Sequence, residues 1–343
     1  MDIALLASAL LAGSLLAVQA SANLQLTRAI GTPYGASTVQ LGLAAGLLLV
    51  LAVATGTAGA VGLASDVPLW QLLGGLASPL YITSGILLFP RLGALAAVAL
   101  FVTGQMFASL ALDQLGLLGV DDKPLTAGVA LGAATVLAGI TLIIRGQRTS
   151  ATRRRATRTS ASATTASDAT PPGRGAAATL TTTRSPATAA RLGRAGWILL
   201  GVAAGAGLPI QGAVNAQLRE SIDEPLAVAL VSFAVATLTI AIVLAALLSV
   251  GATPTPRTGR TTEMPWWGWL GGGCAVVYVT ATFLLIPEIG AATTVALTVT
   301  GQQLASAAID GRGLFRMPRR PLTSQRLAGL VLLIAGSALV QLT

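Results

Sequence analysis

Four polar stripes set into apolar sequence are the residues best suited to do chemistry in this chain. Gln19 and Asn23 are four apart and share one helix face, and Gln211 and Asn215 repeat them. Gln105, Ser109 and Asp113 form an i, i+4, i+8 stripe, and Gln302, Ser306 and Asp310 form its twin. Amides and hydroxyls both donate and accept hydrogen bonds, so these stripes suit the handling of a polar organic solute. The same groups can instead bond helix to helix, at roughly 0.6–2 kcal/mol each. Asp113 and Asp310, at the edges of apolar runs, read as solvated helix-end carboxylates. With no histidine, and with Cys274 alone inside an apolar run, the chain has no imidazole catalysis, no disulfide framework and no Cys/His metal site. It also lacks a Gly-x-x-x-x-Gly-Lys phosphate loop and any nucleophile beside a base. We therefore expect no enzyme activity, no cofactor, no metal and no ATP-driven pumping by this chain alone.

The elements that must position those stripes are membrane spans. Of 343 residues 54% are hydrophobic and only 10% charged, too few charges to coat soluble domains of this length. Runs of about 20 apolar residues, the length that crosses a hydrocarbon core of about 30 Å, fall at ten places. Their limits are 3–22, 36–55, 69–89, 93–112 and 125–144, then 196–216, 226–250, 266–286, 290–309 and 327–342. Prolines 33, 68, 124, 225, 265 and 321 each precede a span, where a missing N–H is harmless. The five tryptophans stand at span starts, the aromatic-belt position. Residues 145–195 shift to Arg, Thr, Ser, Ala and Pro, the composition of a disordered linker. Gly42-x-x-x-Gly46, Gly128-x-x-x-Gly132 and Gly201-x-x-x-Gly205 offer close-packing faces.

The two halves are one sequence used twice. At a spacing of 192 residues, Gln19, Asn23 and Pro33 fall on Gln211, Asn215 and Pro225. After an insertion the spacing becomes 197, and Gly74, Tyr81, Pro90, Gly104, Gln105, Ser109 and Asp113 fall on Gly271, Tyr278, Pro287, Gly301, Gln302, Ser306 and Asp310. The fold expected is an all-α integral membrane protein with ten transmembrane helices. They form two five-helix units, 1–144 and 196–343, joined by the linker. Five is odd, so a linker confined to one side leaves the second unit inverted. Placing the linker in the cytoplasm puts 19 of 21 basic residues inside, which agrees with the positive-inside rule and sends both termini outside. The net charge of +9 is then an orientation signal and calls for no nucleic acid. The expected partners are the lipid bilayer, a small-molecule solute and, at the linker arginines, anionic lipid.

These motifs carry a resemblance. Gly13-x5-Gln19-x3-Asn23, Gly74-Gly75-x5-Tyr81, Pro90-x-x-Gly93 and Gly104-Gln105-x3-Ser109-x3-Asp113 in the first half resemble the YdcZ branch of the drug/metabolite transporter superfamily. So do Gly205-x5-Gln211-x3-Asn215, Ile286-Pro287-x-x-Gly290, Gly301-Gln302-x3-Ser306 and Gly329-x6-Gly336 in the second. The resemblance covers both halves and implies a bacterial inner-membrane transporter with inverted repeats, without implying a substrate. Small multidrug exporters of that superfamily carry a glutamate in the first helix, where this chain has Gln19 and Gln211. Proton-coupled export of lipophilic cations is therefore not expected. The leading functional expectation is a secondary transporter of small polar or amphipathic metabolites working by alternating access. The alternatives are a non-transporting membrane scaffold and a lipid flippase.

Overall fold

The computed structural model describes residues 3–119, 126–166, 193–257, 259–289 and 291–342, and among them no strand forms. In the first half, α1 spans Ile3–Ile30, α2 Pro33–Ala54, α3 Leu69–Leu92 with a 3-10 turn at Leu73–Leu76, α4 Ala94–Leu115 and α5 Ala127–Ala166. In the second, α6 spans Arg194–Ile222, α7 Pro225–Ser249, α8 Leu270–Ile289, α9 Ala291–Arg312 and α10 Ser324–Leu342. Among the described residues seven helices are long and apolar enough to cross a membrane, and Ser324–Val340 is a shorter apolar helix.

Local chemistry sets the ends. Pro33 and Pro225 each open a helix at its first position, behind an extended Thr32 and Glu224. Gly93, at φ 85° and ψ 163°, lets the chain leave α3 and enter α4 through a single residue in a conformation that side chains bar. Both α1 and α6 run past their expected ends at 22 and 216. In α1 the added turns are polar yet partnered: Gln25 Nε2 donates to the Phe315 carbonyl at 3.0 Å and Arg28 donates to Gln25 Oε1 at 3.1 Å.

The linker expectation needs correction. Helix α5 continues through Ala166, so 145–166 is helical and not disordered. Alanine and arginine are strong helix formers, and extending an existing helix avoids the cost of nucleation. The rest of the linker, 167–192, lies outside the described residues, and with it part of the expected anionic-lipid contact.

The two halves pack across one another. Helix α1 lies on α8 and α9, and α6 in turn lies on α3 and α4; α2 packs on α7 and α5 on α10. Glycines make the tightest approaches. A Cβ on Gly104 would strike the Val202 carbonyl and one on Gly301 the Leu10 carbonyl; Gly205 and Gly13 meet Phe101 and Thr298 in the same way. Each of these contacts maps onto its partner by the spacings of 192 and 197. Helices α5 and α10 run antiparallel, Gly132 against Gly336 and Gly139 against Gly329. Of the expected glycine faces, Gly201 and Gly205 do pack closely, whereas Gly46 meets nothing within 4 Å. The face of α2 bearing Leu43, Leu47 and Val50 is exposed, as lipid-facing side chains are.

Candidate functional site

Two adjoining cavities lie where the halves meet. The smaller, about 70 Å³, is walled by α1, α3, α6, α7 and α8 and is symmetric in sequence: Leu16 with Leu208, Gln19 with Gln211, Tyr81 with Tyr278, Ile82 with Val279 and Ser78 with Ala275. The larger, about 230 Å³, shares Leu16, Leu208 and Tyr278 with it. It extends along α4 and α9, where Gln105, Ser109, Thr298 and Gln302 supply the polar groups. A third cavity of about 320 Å³ sits at the end of the bundle between Gln25, Arg28, Arg260, Glu263 and Arg316. Arg260 and Glu263 there are exposed and pair at 3.8 Å, so that rim is a solvated surface.

The stripe residues divide by what they face. Gln19, Gln211, Gln105, Ser109 and Gln302 line the two central cavities. Gln211 accepts from Ser78 Oγ at 2.9 Å, and Gln302 Nε2 donates to the Tyr81 hydroxyl at 2.8 Å. Asn23 and Asn215 instead bind helices. Asn23 Nδ2 donates to Gln40 Oε1 at 3.3 Å and Asn215 Nδ2 to Ser232 Oγ at 3.1 Å. Their carboxamide oxygens sit where a Cβ of Gly271 and of Gly74 would stand, which explains the paired glycines of the sequence motif. Ser306 is buried and donates to the Gln303 carbonyl of its own helix at 2.8 Å, away from the cavity.

Asp310 departs furthest from expectation. It is fully buried, not a solvated helix-end carboxylate. Arg326, 1% exposed, donates to it at 2.6 Å, and the amides of Ala94 and Leu95 donate at 2.8 and 3.3 Å. Those amides open α4, so the carboxylate satisfies N–H groups that have no partner inside the helix and meets the positive end of its dipole. Asp113, its counterpart, is half-buried and outside the cavity lining, with Val129 at the position equivalent to Arg326. Sequence reasoning missed Arg326, counted only as a loop charge, although its place at the edge of an apolar run marked it. It also missed Tyr81 and Tyr278 as cavity walls, although they were two of only three tyrosines and matched one another.

Basic groups gather at the end of the bundle that Asp310 occupies. Arg320 donates to the Pro90 and Arg91 carbonyls at 3.0 and 3.2 Å, and the Arg91 guanidinium lies 4.2 Å from the Trp197 ring centre. The backbone amide of Arg257 donates to Ile30 at 2.8 Å at the turn between α1 and α2.

No curated protein matches the chain. The family model described as "Putative inner membrane exporter, YdcZ" matches residues 4–142 and again 196–339, consistent with a multi-pass inner membrane protein in a transport family. With both halves matched in tandem and only the segment between them left over, the chain belongs to the YdcZ family.

Proposed function

We propose that the protein is a secondary transporter that carries small polar or amphipathic metabolites by alternating access. In this reading ten spans form two inverted units, 1–144 and 196–343, with the linker and the arginine-rich end in the cytoplasm and both termini outside. The antiparallel run of α5 against its sequence counterpart α10 supports the inversion, because equivalent helices of parallel repeats point the same way. The family description names export, so outward movement is the direction to test first.

One observation carries the reading: equivalent positions of the two units are in unequal states. Gln302 is 2% exposed and bonded to Tyr81. Its counterpart Gln105 is half-buried and lines the larger cavity, as does Tyr278, without a hydrogen bond between them. One pair is closed and the other open, as expected of an inverted repeat caught on one side of its cycle. The closed side is the one locked by Asp310, Arg326 and Arg320.

Reconstituted protein tests this directly. Under imposed proton or sodium gradients, proteoliposomes should accumulate or release at least one member of a broad metabolite panel. Gln105→Ala and Gln302→Ala should each lower that flux about tenfold, the worth of one buried hydrogen bond. No flux for any solute under any gradient would remove the transporter reading. Sidedness has its own check: a periplasm-dependent reporter fused after Thr343 should be active, and activity of a cytoplasmic reporter alone would reverse the orientation.

A further inference from the structure

We infer that the Gln19 carboxamide oxygen is an acceptor left open for the ligand, and that the site therefore selects uncharged solutes bearing an O–H or N–H donor. Only the use of the site rests on the transporter reading. Two equivalent glutamines in one cavity differ in their partners. Gln211 is satisfied, because Ser78 donates to its Oε1 at 2.9 Å. Exchanging the halves maps Gln211 onto Gln19 and Ser78 onto Ala275, which lines the same cavity and has no hydroxyl to give. Gln40, at the position equivalent to Ser232, accepts from Asn23 and donates to the Gly271 carbonyl at 3.4 Å. Gln19, only 5% exposed, is thus left with an Oε1 that has no hydrogen-bond partner. A buried acceptor in that state carries an uncompensated desolvation penalty, and a ligand donor at the same point relieves it.

The walls decide the charge. Among the described residues, no Asp, Glu, Lys or Arg lines either central cavity. An ionised solute would lie there without a counter-charge in a region of low dielectric, whereas a neutral one loses little on entry. The remaining lining, including Leu208, Phe233, Met106 and Val299, accepts an apolar body. The ligand so defined is amphipathic: an alcohol, phenol or amide whose donor meets Gln19 and whose apolar part extends past Leu208 into the larger cavity.

Four probes of one shape separate the possibilities: benzyl alcohol, toluene, benzoate and benzylammonium. Binding is read as concentration-dependent thermal stabilisation of the purified full-length protein in nanodiscs. Benzyl alcohol should stabilise the native protein more than the other three. Ala275→Ser supplies the missing hydroxyl, so it should raise the melting temperature of the empty protein and weaken benzyl alcohol about tenfold, the effect of one lost hydrogen bond. Gln19→Leu should abolish the preference for benzyl alcohol over toluene. If that variant fails to fold, Ala275→Ser still decides, since it adds one oxygen facing a cavity. Equal or stronger stabilisation by benzoate or benzylammonium, no stabilisation by benzyl alcohol, or an unchanged preference in Ala275→Ser would each overturn the inference. Because the readout is binding, Ala275→Ser-sensitive binding without flux removes the transporter reading and leaves the site. Flux with insensitive binding does the reverse.

Discussion

Arg326→Met will destabilise the protein by about 3–5 kcal/mol, the cost of stranding a buried carboxylate by removing its partner. Asp310 has no water to fall back on: it is fully buried and bound by Arg326 at 2.6 Å. Arg326 in turn holds the chain between α9 and α10, donating to the Arg320 and Pro321 carbonyls at 3.0 and 3.1 Å. The methionine keeps the length and apolar stem of the side chain, so the loss reports the charge and its hydrogen bonds. Asp113→Asn is the control, because that half-buried carboxylate has Val129 at the position equivalent to Arg326 and should change stability by less than about 0.5 kcal/mol. Thermal and denaturant unfolding in detergent will compare the variants. A cost below about 1 kcal/mol for Arg326→Met would show that the carboxylate keeps adequate partners in Ala94 and Leu95 alone.

The second large effect comes from the smallest side chains. Gly104→Ala and Gly301→Ala should each cost about 1–3 kcal/mol or more, because the added methyl meets backbone. The atoms in the way are the carbonyl oxygens of Val202 and Leu10, which belong to helices and cannot rotate aside. The helices would have to separate, and with them the walls of the central cavities. Gly212→Ala lies on the same kind of helix with nothing within 4 Å of a new Cβ, so it should be neutral or gain up to about 1 kcal/mol of helix propensity. Unfolding midpoints for the three variants give the answer. If Gly104→Ala matched Gly212→Ala, close approach would not be what Gly104 provides.

Much of this was legible in one dimension. A bilayer sets the length of a span, so apolar runs bounded by Pro33, Pro225 and the tryptophans marked helices before any contact was known. Duplication made positions comparable, so the pairing of Gln19 with Gln211 and of Gln105 with Gln302 was visible as spacing alone. The family followed from the same residues. Helix ends were less legible: α1 reaches Ile30 because Gln25 finds the Phe315 carbonyl, a partner far along the chain. Helix α5 likewise runs beyond the expected end of its span, because composition that suits a linker also suits a helix already begun.

What the sequence by itself determined was the set of polar groups, the helices that carry them and the equivalence of the two halves. The tertiary structure decided which member of the Gln19/Gln211 and Asp113/Asp310 pairs is satisfied. Asp310 and Asp113 are the same residue at the same repeat position, yet one is buried on an arginine and a helix start while the other is half-buried. Gln211 has a hydroxyl from Ser78, whereas Gln19 shares its cavity with Ala275, the equivalent of Ser78, which has none. Local sequence records the type and face of a side chain. Whether a buried polar atom has a partner depends on atoms brought from the other half of the chain, and only the packed bundle sets that.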